Sequence, residues 1–165
     1  MTSRTAITLA WLLLCGASNA LECRLDQASY VEPHSGTVMT FHPKTADEGL
    51  MTAGVFDLAL PNVESAFSGH ITWTFGKNAR PDAFIRRPCP EPSAVPYEEA
   101  CWLWFGNAYV VGDQTVSLFE DDEMPAPQAI LFADFGRSLL WDEAFIAANP
   151  SALAMDLFTL TACAF

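Results

Sequence analysis

Cys101-Trp-Leu-Trp-Phe-Gly-Asn-Ala-Tyr-Val-Val-Gly112 is the stretch on which the fold turns. It is the most apolar and aromatic run beyond the first twenty residues, and it opens on a cysteine. Its Gly106-Asn107 pair suits a two-residue β-hairpin, whose central positions favour residues that tolerate positive φ. Folded so, Trp104 lies opposite Tyr109, Trp102 opposite Val111, and Leu103 opposite Val110, each an apolar cross-strand pair. The other reading is one long strand with a glycine bulge at Gly106. In both, apolar residues on two faces require cover on two sides, which puts this segment in the middle of a β core.

Outward from that run the chain reads as short strands between turns. Thr37 to Phe41 alternates, with Met39 and Phe41 on one face. Leu50 to Leu60 places Phe56, Leu58 and Leu60 on one side, and Pro61 stops it. His70 to Phe75 reads as a half-buried strand with Ile71, Trp73 and Phe75 facing in. Gly76 to Pro81 is a turn by composition. Ala83 to Arg86 reads as a short edge strand. Pro88, Pro90, Pro92 and Pro96 forbid regular pairing and make residues 88–98 a stiff loop.

On the far side, Thr115 to Phe119, Ala129 to Ala133, Ser138 to Trp141 and Leu157 to Phe165 read as further strands. Asp142 is placed to N-cap one short helix near 142–148, which ends before Pro150. Many short strands with turn signals between them indicate an all-β, antiparallel β-sandwich or small β-barrel of about seven to nine strands, not a βαβ fold.

The N-terminus reads as an export signal. Arg4 supplies a positive start, Ala6 to Cys15 is apolar, and Gly16 to Ala20 ends in small residues, so cleavage is expected after Ala20. The apolar run is too short to anchor the chain in a bilayer. The remaining residues, 21–165, suffice for one domain and bury roughly 68% of the unfolded surface without help from a metal. The localisation this implies is periplasmic or secreted.

Five cysteines become four when Cys15 leaves with the signal. An even count in an oxidising compartment reads as two disulfides, with three pairings to choose from. The expected pairs are Cys89–Cys101, across the proline loop, and Cys23–Cys163, tying the ends together.

The full chain carries 8 basic and 20 acidic residues, a net charge of −12. Such a charge repels nucleic acid and anionic lipid and suits a basic partner. The distribution is uneven. Lys77, Arg80, Arg86 and Arg87 lie within eleven residues, whereas residues 113–165 carry nine acids against Arg137 alone. The basic corner is a candidate docking patch; the plainer reading pairs it with Asp82, Glu91, Glu98 and Glu99.

Signals for chemistry are sparse. Gly-x-Ser-x-Gly, His-Glu-x-x-His, Cys-x-x-Cys and phosphate-binding glycine loops are all missing from the sequence. His34-Ser35 and Ser68-Gly69-His70 leave a small hydrolase using His34 or His70 as an alternative, since triads are recognised by geometry. His34, His42 and His70 have the chemistry of zinc ligands but match no compact spacing. Glu120-Asp-Asp-Glu123 lacks the glycine and alternating acids of a calcium loop and reads as a solvated turn. No cofactor or metal is expected.

Trp73, Trp102, Trp104, Tyr109 and Trp141 suit either core packing or a cleft for a sugar or apolar ligand. The function expected is an exported, non-catalytic binding module with a protein partner in the envelope or outside the cell. One version is an acidic inhibitor of a basic extracellular enzyme. A β-barrel carrier of a small apolar ligand is a further alternative. Candidate binding residues are Lys77, Arg80, Arg86, Arg87, Trp102 and Trp104.

Overall fold

The computed structural model describes residues 22–63, 67–76, 79–88, 101–147 and 152–164. The expected signal, Lys77, Cys89 and the proline loop from residue 89 onward lie outside them. The described strands are β1 Ala28–Val31, β2 Val38–His42, β3 Thr52–Ala59, β4 Phe67–Trp73, β5 Pro81–Arg86, β6 Trp102–Val111, β7 Val116–Ser117, β8 Ala129–Phe132 and β9 Leu157–Cys163. All pairings are antiparallel, in the order β5-β4-β3-β2-β1-β9-β8-β6, and β5 pairs again with β6. Eight strands thus close into a barrel, and β7 adds to one side of β6.

Strand β6 is the seam. Its first half pairs with β5, from Asp82↔Asn107 to Arg86↔Trp102. Its second half pairs with β8, from Ala108↔Phe132 to Val111↔Ala129. Such stagger is what closure of a tilted barrel requires. It also overturns the hairpin reading: Gly106 and Asn107 pair in mid-strand with Ala83 and Asp82. Local turn preference loses because β5 and β8 offer a ladder partner along the whole run.

The irregularity lies earlier than Gly106. Ile85 pairs with Trp104 and Arg86 with Trp102, which leaves Leu103 as the extra residue of a bulge. Without it, Trp102 and Trp104, two apart, share a face. With it, Trp104 enters the barrel, its ring 5.3 Å from Phe132. Trp102 turns outward against Phe84, at 5.2 Å.

The barrel is filled with rings. Phe41, Phe56, Phe132 and Phe158 form a chain of contacts with centroids 5.2, 5.5 and 5.6 Å apart. Tyr30 and Phe135 flank it, and the buried Tyr30 hydroxyl donates to the Pro127 carbonyl at 3.1 Å. Each fully buried ring contributes roughly 1.5–3 kcal/mol relative to exposure. Phe56 lies flat because its cross-strand partner is Gly69. A Cβ there would stand 2.3 Å from the Phe56 ring.

Several expected elements move. β4 begins at Phe67 and ends at Trp73, where the Thr74 N–H meets the Arg80 carbonyl at 2.9 Å. Phe75 therefore sits on a turn and is 85% exposed instead of buried. β5 is an internal strand, not an edge; Pro81 occupies its first position, where a missing N–H is tolerated. β1 carries no clear sequence signal of its own.

Ser138 to Trp141 is not a strand. Asp134 takes the left-handed conformation at φ 61, and its carbonyl accepts the Ser138 N–H as α1, Phe135–Leu139, begins. A short apolar run does not distinguish helix from strand. The expected helix is α2, Glu143–Ala147, with the Asp142 carboxylate accepting the Phe145 N–H at 2.7 Å.

Cys23 and Cys163 form the end-to-end disulfide, with Cα atoms 6.0 Å apart. Cys101 is buried and disulfide-bonded; Cys89, its expected partner, is outside the described residues. Among the described residues no helix is long and apolar enough to cross a membrane.

Candidate binding face

Closure of the barrel sets outward side chains of neighbouring strands side by side. One such row runs from Val55 on β3 through His70 and Phe84 to Phe105 on β6. His70 and Phe84 stack at 5.0 Å with planes 19° apart. Phe84 and Phe105 are 4.8 Å apart. The next row carries Asp57, Ser68, Arg86 and Trp102. The Arg86 guanidinium lies 4.3 Å above the Trp102 ring, and among the described residues it joins no ion pair. Phe105 is 57% exposed, His70, Phe84 and Trp102 are half-buried and Val55 is buried, so the strip opens to solvent toward its Phe105 end.

Beside it lies a cleft of about 410 Å³. Its floor is Val55, Ser68, His70 and Thr72; its lip is the segment ahead of β3, with Glu48 and Leu50. The lip is anchored. Lys44 donates to the Thr52 carbonyl and to Asp122, each at 2.8 Å. Glu48 and Thr45 close a capping box around the 3-10 turn Ala46–Glu48. The Trp73 N–H bonds the Met51 carbonyl at 2.8 Å.

His70 belongs to both cleft and ring row. Burial pushes its imidazole below the usual value, the Arg86 charge adds to that, and Glu48 opposes it. The ring is therefore neutral at pH 7 and presents one donor and one acceptor.

The basic corner does not stay together. Arg80 pairs with Asp82 at 3.0 Å. Arg87 donates to the Trp102 carbonyl at 3.1 Å and to Asp142. Arg86 alone of the described three faces the open strip. Of the two candidate tryptophans, Trp102 borders that strip and Trp104 is 4% exposed inside the barrel. Trp73 donates its indole N–H to the Glu120 carbonyl at 3.2 Å, and Trp141 is 80% exposed elsewhere.

Ser35 beside His34 is part of a turn. Its hydroxyl donates to Glu32 at 2.6 Å, and Glu32 also accepts the His34 and Ser35 N–H groups at 2.8 and 2.7 Å. Burial alone would raise the Glu32 carboxyl; these bonds, with one from the Met155 backbone, outweigh it and hold the group below its usual range. Among the described residues no hydrogen bond joins His34 or His70 to a serine hydroxyl. The acidic run is likewise occupied: Asp121 accepts the Glu123 N–H at 2.9 Å, and Asp122 holds Lys44. Among the described residues no group of His, Cys, Asp or Glu converges as a metal site.

Phe84 and Phe105 belong to this candidate face and were not among the residues singled out from the sequence. The registers of β5 against β4 and β6 set Phe84 between His70 and Phe105, and periodicity along one strand does not carry register between strands. No family model, curated protein or solved structure matches this chain.

Proposed function

We propose that the protein is an exported, non-catalytic binding module whose contact surface is the outer wall of β3 to β6. The observation that carries this is the bulge at Leu103, which brings Trp102 out beside Phe84, Phe105 and Arg86. An aromatic strip left open beside a formed cleft is the kind of surface that marks an interaction site. The ring-filled interior counts against the carrier alternative, and the occupied Ser35 hydroxyl counts against the hydrolase one.

Capture from an envelope extract tests the reading. Immobilised protein is compared with a Phe105→Ala, Trp102→Ala double variant. Proteins or glycans retained by the first and lost by the second support it; identical retention, or retention of neither, overturns it.

The net charge of −12 favours a second, more specific version, an inhibitor of a basic extracellular enzyme such as a lysozyme. Inhibition of lysozyme that weakens as salt rises would support that version, and undiminished lysozyme activity would remove it.

A further inference from the structure

We infer that the cleft and the ring strip form one continuous site for an oligosaccharide; this rests on the binding reading above and names its ligand class. A sugar presents an apolar face of C–H groups and a rim of hydroxyls that both donate and accept. It needs flat aromatic carbon beneath it and two-way hydrogen-bonding groups around it.

The wall of β3 to β6 supplies these in order. Inside the cleft, the Ser68 and Thr72 hydroxyls and the His70 imidazole are two-way groups, Glu48 accepts, and Val55 gives an apolar floor. The volume, about 410 Å³, falls within the roughly 300–1,000 Å³ of small-ligand sites. His70 and Phe84 stack on each other at 5.0 Å, and Phe105, tilted 45° to Phe84 at 4.8 Å and 57% exposed, is the ring of this row most open to a ligand. The strip extends past the cleft mouth and leaves room for more than one sugar ring.

Charge narrows the class. A net charge of −12 opposes polyanionic chains, and Arg86 is one cation against it. The ligand is therefore a predominantly neutral oligosaccharide, with Arg86 and Trp102 at its edge. A protein partner is the competing class. The hydroxyl-lined concavity favours the sugar, whose rim of hydroxyls can pair with Ser68, His70 and Thr72 together.

A glycan array bearing neutral and uronate-containing oligosaccharides is probed with the mature protein, and positive glycans are titrated by calorimetry. Neutral oligosaccharides of two or more rings are expected to bind. Phe105→Ala should weaken them about tenfold. The melting temperature should fall only slightly, because Phe105 is 57% exposed and the main loss is its cross-strand pair with Phe84. Ser68→Ala should weaken them too, and added salt should not.

A blank array overturns the inference, as does binding indifferent to both variants. Signals confined to uronates and abolished by salt overturn it as well, since they report Arg86 electrostatics alone. If the array is blank while envelope capture retains a protein that depends on Phe105, the sugar inference falls and the binding reading stands. If both are blank, both fall.

Discussion

Arg87, directly after β5, donates a hydrogen bond to the carboxylate of Asp142, 55 residues further along the chain. The side chains are 21% and 14% exposed, so the pair is largely withdrawn from water. Asp142 also caps α2 through the Phe145 N–H. One carboxylate therefore ties the barrel wall to the helical segment that packs Phe135, Leu139 and Phe145 against the core. Asp142→Ala removes the cap and strands the guanidinium, and is expected to cost about 3 kcal/mol. Asp142→Asn keeps the cap and should recover about 1 kcal/mol of that. Urea unfolding midpoints of the two variants check both figures.

Gly69 and Phe56 are a matched pair. The Phe56 ring occupies the space where a Gly69 side chain would begin. Gly69→Ala is expected to destabilise by about 1–3 kcal/mol through overpacking. Combining it with Phe56→Leu should be less costly than the sum of the two single changes, because the leucine frees the space. Strict additivity in the double-mutant cycle would show that the ring does not cover the glycine.

Glu32 gives the stability a pH dependence of known sign. Its folded-state pKa lies below the ordinary 4.5, so the unfolded chain binds the proton more readily. The stabilisation is fully present above about pH 4.5 and is lost as pH falls through the lower, folded value. Glu32→Gln should flatten that acid limb. Equal slopes for the two proteins, measured by denaturation between about pH 5 and 3, would contradict the assignment.

His70 should titrate below 6.5 in the folded protein, with burial as the chief cause and Arg86 as the second. Stability from this group is present above about pH 6.5 and declines as pH falls through the folded value. Arg86→Gln removes one lowering cause and should raise the His70 pKa toward the ordinary value without reaching it. Imidazole resonances followed by NMR check the direction.

The Cys23–Cys163 bridge spans 140 residues of sequence. Replacing both cysteines by serine is expected to cost about 3–5 kcal/mol through the entropy returned to the unfolded chain. Ala28 pairs with Cys163 in the ladder between β1 and β9, so fraying should begin there. Amide exchange in β1 and β9 that stays as slow as in β3 and β4 would argue against it.

The barrel was legible where alternation is regular. Met39, Phe41, Phe56, Leu58 and Ile71 were readable as buried, and all lie in the core. The cysteine count and the end-to-end spacing were enough to propose the Cys23–Cys163 bridge. What failed were features decided between strands. The stagger of β6 turned a hairpin signal into mid-strand residues, and one bulged leucine reversed the face of Trp102. The segment Ser138–Trp141 misled because a run of three apolar residues has no readable period. The candidate face depends on register between strands, so Phe84 and Phe105 could not be joined to Trp102 and Arg86 from spacing along the chain.

The opposite placement of Trp102 and Trp104 is the hinge of the proposed function, and fluorine NMR tests it directly. The protein is labelled with 5-fluorotryptophan, and the two resonances are assigned with Trp102→Phe and Trp104→Phe. A soluble paramagnetic agent should broaden the Trp102 resonance strongly and leave that of Trp104 sharp. Equal protection of both would mean that Trp102 is shut inside with Trp104, and that the outer wall of β3 to β6 is not the binding face.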